Sequence, residues 1–414
     1  MALIFDHSQT PLSLRDTAWS EDRKDNPRFL TRWVSRRDAA ETLRSAWDDL
    51  AANASEPNPF YEPHLLLPAL DNLAAKSDIR LIAVEDRMQP GRLIAFLPVQ
   101  IRRTYRGLPV RTAHAWRSVH TFLATPLVRK GCEWDAMRAL VAGLRDDGIH
   151  LIRMPHMASD GPIAEALSIV AKSHGLATAS SRRFARALLQ STQSGETYIE
   201  ASVSKKKRKE YARQARRLSE LGNVTFEEPD TDDPAAVEGI VLQFLELERQ
   251  SWKGRAGTAL AQRPAEARFF LQACRAAAAA GKLHCLTLNL DGVPIASIVN
   301  FAGGGDGTAG MFSFKIAFDE AYARYSPGVL LELELTRLML SRDGIVFTDS
   351  CANPDHPMID HLWRERRAIQ DGLFATTRLL PSILVSAVNG LDKAELKARA
   401  LARSLLTRIK RSVA

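Results

Sequence analysis

The run from Asn58 to Ile101, "NPFYEPHLLLPALDNLAAKSDIRLIAVEDRMQPGRLIAFLPVQI", opens on an aromatic pair, passes through a helical apolar stretch and then alternates on both sides of a turn. It predicts a helix, a strand, a turn and a second strand. From Ala267 to Phe301, "ARFFLQACRAAAAAGKLHCLTLNLDGVPIASIVNF" repeats that order. Phe269 and Phe270 precede an alanine-rich helix, and an Asp291-Gly292 turn joins strands over Leu283 to Leu290 and Ile295 to Phe301. Asp-Gly between two alternating runs is a hairpin signal with a mechanism, since both central positions need positive φ.

The second copy continues into a third strand, Met311 to Phe318, then "RYSPG", an apolar helix with Leu330, Leu331, Leu333 and Leu338, and a strand in "DGIVFTDSCA". The first copy is less legible. It continues through a helix near Glu133 to Asp147, the strand "IHLIRMPH" and a helix near Ile163 to His174. Two α/β units of mixed sheet are therefore expected, at 28–195 and 226–375, after an N-terminal segment 1–27. Between them, 196–225 carries a basic connecting helix on which Lys206, Lys209 and Arg213 fall in one stripe with Arg216 and Arg217. The tail 376–414 reads as a basic amphipathic helix with Ala398, Leu401, Leu405 and Ile409 on one face.

A length of 414 residues with 45% apolar content suffices for two or three cores. A net charge of +8 and a pI near 9.4 favour anionic partners without choosing among them. Cys132, Cys274, Cys285 and Cys351 lie far apart with no metal-ligand spacing, so neither zinc nor a disulfide framework is indicated. The opening "MALIFDHSQTPLSLRDTAWSEDRKD" has no basic leader before an apolar core, and no stretch approaches the ~20 apolar residues of a membrane span. A cytoplasmic protein is expected.

At a strand-to-helix junction, Ser326 is a natural N-cap, Pro327 suits the first helical position, and Gly328 permits close approach of a ligand to the backbone. Orphan N–H groups and the helix dipole make such a place a ready anion site, although the same residues also make a well-formed helix start. The runs "FSFKIAFDEAYARYSPGVLLELE", "SWKGRAGTAL", "SVSKKKRKEYARQARRL" and "NPFYEPHLLLPAL" together resemble the acetyltransferase-like proteins of cellulose and exopolysaccharide biosynthesis. These are the CelD-type branch of the GNAT superfamily, related to the Fem-type aminoacyltransferases. The resemblance covers roughly Asn58 to Ile369. It implies two tandem GNAT-like domains, with acyl-CoA, in particular acetyl-CoA, bound mainly by the second and no metal. The superfamily holds the CoA pyrophosphate with a Gln/Arg-x-x-Gly-x-Gly/Ala loop. Here Arg324, Tyr325, Ser326, Pro327, Gly328 and Val329 keep an arginine and one glycine, a departure shared with Fem-type relatives, some of which take aminoacyl-tRNA.

Acyl transfer from a thioester to an amine needs a proton acceptor for the amine, a donor to the thiolate and an N–H for the oxyanion. Asp319, Glu320 and Tyr322, at the end of the third strand, and Asp349, at the end of the next, are the candidate catalytic groups, with Tyr325 a further candidate donor to the thiolate. Lys315, Trp252, Lys253 and Arg255 are candidate acceptor contacts, a stacking ring beside phosphate-binding cations. His361 and Trp363 join them from the segment after Asp349. Lys206, Lys209 and Arg213 are candidate phosphate contacts, or a solvated helix face. The expected acceptor is a small-molecule or lipid-linked amino sugar, an envelope or exopolysaccharide precursor. The tail could rest on an anionic membrane, and sequence-specific DNA binding is not indicated. Two other readings stay open: aminoacyl transfer from tRNA, and a nucleotide-sensing module without catalysis.

Overall fold

Every residue of the strand Leu283–Leu290 is buried, its polar ones included, so this strand is covered on both faces. Of its polar residues, His284 bonds Glu228 at 2.9 Å and Asn300 at 3.1 Å. The computed structural model describes residues 28–74, 78–305, 307, 309–378 and 382–412, and the expected segment 1–27 lies outside them.

The first half runs β1 (Phe29–Val34), α1 (Arg36–Glu41), α2 (Arg44–Ala52), α3 (Pro63–Leu73), β2 (Ile79–Asp86), β3 (Leu93–Arg102), β4 (Thr112–Ala115), β5 (Leu127–Val128), α4 (Glu133–Asp146), β6 (Leu151–Ala158), α5 (Pro162–Ser173) and β7 (Thr178–Leu189). The connection is α6 (Gly195–Ser202) and α7 (Lys205–Ser219). The second half comes next as β8 (Val224–Glu227), α8 (Pro234–Gln250), α9 (Trp252–Arg255), α10 (Pro264–Ala279), β9 (Leu283–Leu290), β10 (Val293–Gly303), β11 (Ala309–Phe318), α11 (Pro327–Ser341), β12 (Ile345–Asp349), β13 (Glu365–Ala375) and α12 (Ser382–Ser412). Local chemistry explains the starts. Ser204 accepts from the Lys207 amide to begin α7, and Asp233 caps α8 with Pro234 at its first position.

The described strands form one mixed sheet of 13, in the order β1-β2-β3-β4-β6-β13-β7-β12-β11-β10-β9-β8, with β5 beside β3. Each half contains one parallel pair bridged by a helix, β4 with β6 through α4 and β11 with β12 through α11. The last strands are exchanged. β13, from the second half, lies between β6 and β7, and β7, from the first, pairs with β12. A division at 195 and 226 tracks the chain but cuts across the sheet.

The exchange leaves a core common to both halves. Trp47 stacks on Phe96 at 4.3 Å in the first, and Phe60 meets Phe312 of β11 edge-on at 5.9 Å. Burying such a side chain contributes roughly 1.5–3 kcal/mol. Glu62, fully buried, accepts from the Gly304 amide at 2.7 Å and pairs with Lys282, which stitches the start of α3 to the second half. The tail helix begins at Ser382 and lays Val385 and Val388 on Leu151, Leu373 and Ala375. Further along it, Ala398 and Leu401 are exposed. Among the described residues, no helix is long and apolar enough to cross a membrane.

Candidate functional site

β11 pairs with β10 along its length but with β12 only from Ala309 to Phe312, so Ser313 to Phe318 have no strand on that side. On the far side of the gap, β7 meets β12 only at Thr348 and Asp349. The sheet therefore opens at the carboxyl end of the parallel pair, where α/β sheets place ligands. The edge of β11 is shaped by a bulge. Lys315 faces Val299 and Ser313 faces Asn300, which leaves Phe314 as an extra residue and turns Phe314 and Lys315 to the same side. Phe314 stacks on Phe270 at 5.8 Å, and the Lys315 ammonium reaches the Glu248 carboxylate at 3.4 Å.

Glu248 is a fully buried carboxylate on α8. It holds Lys253 at 3.2 Å and accepts the Leu260 amide at 2.7 Å. Burial works to raise its pKa, but the charges of Lys315 and Lys253 outweigh it and keep the group below the usual carboxylate range. Lys253 also donates to the Ile316 carbonyl at 3.1 Å, beyond the point where β12 ends. Burial, helped by Lys315 and opposed by Glu248, holds Lys253 below the ordinary lysine value. The first half adds His120. Its Nε2 lies 2.8 Å from Glu266, its ring stacks on Phe269 and leans on Phe314 at 5.6 Å, and burial, then Lys315, lower it to about 4. It is a neutral imidazole oriented by a carboxylate.

Several expected residues meet at this opening. Trp252, 55% exposed, donates its amide to Glu320 at 2.5 Å, and Arg255 pairs with the same carboxylate. "SWKGR" thus forms a short helix clamped to the end of β11. Arg255 keeps Glu320 below the usual range, so Glu320 is a tether rather than a ready base. Asp319 caps the next turn by accepting from the Ala321 amide at 2.9 Å. Tyr322 is half-buried there, while Tyr325 is buried under the Arg324 guanidinium, 4.7 Å from its ring centroid.

The junction itself departs from expectation. Ser326 makes no capping bond and sits in the left-handed region, φ 53° and ψ 49°. A residue before proline is disfavoured in the right-handed helical region, and the turn at Glu320–Tyr325 must reverse before α11 can start at Pro327. Gly328 is buried with normal φ. A Cβ there would meet Phe318 at 3.4 Å and Ile316 at 3.7 Å, ordinary van der Waals contact, so neither the backbone conformation nor the packing against β11 demands a glycine. Val329, half-buried, completes this first turn, its amide bonded to the Ser326 carbonyl at 2.9 Å.

Asp349 is not exposed to an acceptor. It has no accessible surface and accepts from Arg186 at 2.6 Å, Arg367 at 3.1 Å and the Cys351 amide at 2.9 Å. Burial would raise it, but Arg186 and Arg367 hold it below the usual range. It is the ionised anchor of the apex where β12 stops. Trp363 is likewise removed from any sugar: it is 1% exposed, and its indole donates to Thr336 at 2.9 Å. His361 does face open space, in a cavity of about 640 Å³ lined also by Phe184, His356, Asp360 and Arg366. Burial lowers the pKa of His356, opposed by the Asp360 carboxylate and reinforced by the charge of Lys253. Lys206, Lys209 and Arg213 are exposed along the same helix, α7, where Arg213 is paired with Glu210 at 2.6 Å. No cluster of metal-ligating side chains occurs among the described residues.

The sequence reading missed Glu248, His120 and Glu266. Glu248 had a signal: it comes after Val237, Ile240, Val241, Phe244 and Leu247 on the buried face of α8. His120 had none, lying in an irregular run after β4.

Residues 205–349 match the family described as an acetyltransferase (GNAT) domain, from the first residue of α7 to the last of β12. No curated protein matches the sequence. Among solved structures, one of FemX is 10% identical, covers 81% of this chain and 96% of its own, and superposes with a TM-score of 0.53. A conserved protein of unknown function from Bacteroides thetaiotaomicron VPI-5482 is also 10% identical, with 80% and 96% coverage and a TM-score of 0.50. At that identity the likeness is one of fold. The chain has a mixed α/β fold that is GNAT-like, with the family match confined to residues 205–349.

Proposed function

We propose that the protein is an N-acyltransferase that moves an acyl group, acetyl in the first instance, from acyl-CoA to an amino group of an envelope or exopolysaccharide precursor. The observation that carries this reading is the unpaired half of β11, Ser313 to Phe318, followed through the turn Glu320–Tyr325 by the start of α11 at Pro327. An extended amide-bearing arm such as pantetheine can pair with a free strand edge, and a pyrophosphate suits the start of the helix beyond it. The amine enters through the cavity beside His361 and attacks the thioester carbonyl. The C–N bond forms, the C–S bond breaks, and the amine proton passes to a base as the thiolate leaves. His120, oriented by Glu266, is our candidate acceptor for that proton. Lys253 supplies positive charge near the developing oxyanion.

Direct attack fits better than an acyl-enzyme. Burial raises the thiol pKa of each of the four cysteines, Cys285 to about 12, which disfavours a thiolate nucleophile.

The test is calorimetric titration of acetyl-CoA into the protein and into Arg324→Glu, a change at an exposed residue of the turn. Saturable binding, weakened about tenfold by the reversed charge, is expected. No binding at millimolar ligand would sink the acyl-CoA reading. The basic stripe on α7 favours a second one, aminoacyl transfer from tRNA, in which nuclease treatment abolishes activity.

A further inference from the structure

Guanidinium groups crowd one face of the first half, and the carboxylates near them are shared unevenly. Arg102 at the end of β3, His114 on β4 and Arg153 on β6 open onto a cavity of about 410 Å³ beneath α12. That helix closes the cavity with Asp392 and Glu395. Asp392, 3% exposed, accepts from the Tyr105 hydroxyl at 2.6 Å and from Arg106 at 2.5 Å, and Glu395 pairs with Arg106 as well. Both acids of α12 thus engage the same guanidinium.

The other cations are less well matched. Arg102 donates to the neutral Gln100 amide at 3.0 Å, and Arg153 has Asp371 at 3.5 Å, the outer limit of a hydrogen bond. Arg117 and Arg182 add to the same field. Burial, with Arg153 and Arg182 reinforcing it against Asp371, lowers even the Arg117 pKa. His114 is driven down to about 3 by burial first and then by Arg102, Arg153 and Arg106, so it stays neutral and bonds Thr112 at 3.0 Å.

We propose that this cavity is a second ligand site, for a small soluble phosphorylated molecule, in which Asp392 and Glu395 stand in for the ligand's oxyanions. Its volume suits such a molecule, and the arginine forks match phosphate oxygens in pairs. Ser181, on β7, adds a hydroxyl to the lining. Because the two acids compete for Arg106, a bound phosphate displaces them and loosens α12 from the sheet. The site lies on the first half, away from the edge of β11, and does not depend on the acyl-transfer reading.

The test is calorimetry with inorganic pyrophosphate on the full chain, using two double variants with opposite expected effects. Arg102→Gln with Arg153→Gln weakens binding about tenfold, whereas Asp392→Asn with Glu395→Gln tightens it severalfold. Denaturation midpoints establish that both variants fold. Three results would overturn the proposal: no saturable binding by the wild type, equal binding by the folded arginine variant, or no gain on neutralising α12. Sedimentation with phosphatidic acid vesicles that the folded arginine variant loses and that excess pyrophosphate fails to prevent would also overturn it, since the anion recognised by these arginines would then be a membrane headgroup.

Discussion

β11 runs ten residues and keeps β12 for its first four, whereas β4 runs only four and then leaves the sheet. Both strands open a parallel pair, and both lead toward a crossover helix. Their continuations differ. β11 ends as a free strand edge beside two lysines and a buried carboxylate. Past β4, the chain becomes an irregular segment that carries Arg117, buries His120 against Phe269 and brings the Phe122 carbonyl to Arg186 at 2.7 Å. The second half therefore offers backbone to a ligand, while the first offers side chains, its arginines on one face and His120 reaching toward its neighbour. A repeated topology places two openings in one sheet, and the residues after each strand decide their chemistry.

The largest effect tests the apex where the halves meet. Asp349→Ala leaves Arg186, itself 2% exposed, without its carboxylate and should cost about 3–5 kcal/mol, read as a lower urea midpoint. Arg186→Met combined with Asp349→Leu should recover part of that loss, because the fully buried Arg186 charge goes with its partner and Arg367 keeps Glu56 at 3.9 Å. If Asp349→Ala unfolds no more easily than wild type, the ion pair does not anchor the exchange of strands.

A second test concerns α11, which the second half places next to its open strand. Glu332 is buried, one carboxyl oxygen lacks a hydrogen-bond partner, and burial raises its pKa from 4.5 to about 8. The folded state therefore prefers the neutral acid. Stability should fall as pH rises from the unfolded value near 4.5 to the folded value near 8 and then level off. Glu332→Gln should remove that slope and stabilise the protein at pH 8 by roughly 2–4 kcal/mol, measured by denaturation across pH. A wild-type curve flat over that range would refute the burial of a neutral carboxyl.

The smallest effect is at Ser326. Ser326→Gly relieves a left-handed residue and should stabilise the fold by about 0.5–1 kcal/mol while leaving the turn in place. A loss of stability would mean that the serine side chain holds the turn in some other way.

Much of the second half was legible because its signals are local. The Asp291-Gly292 hairpin, the strand Leu283–Leu290 and the apolar helix after Pro327 depend on turn chemistry and on the strand and helix periods, which a single segment displays. Lys253 and Lys315 stood out as cations in an otherwise apolar or glycine-bearing context. Asp349 shows where such reading stops. A carboxylate at the end of a strand looks the same in sequence whether it faces solvent or two buried guanidiniums, and here the guanidiniums come from strands 163 and 18 residues away along the chain.

By itself, the sequence determined the elements, their order as two α/β units and the basic character of α7, since each depends on neighbours along the chain. Tertiary structure alone decided the rest. The insertion of β13 between β6 and β7, the bulge that turns Lys315 toward Glu248, the approach of His120 to Glu266 and the closing of an arginine-lined cavity by α12 each join segments far apart in sequence. Their energies come from burial and from charge in a low-dielectric interior, and no local pattern of residue types records either.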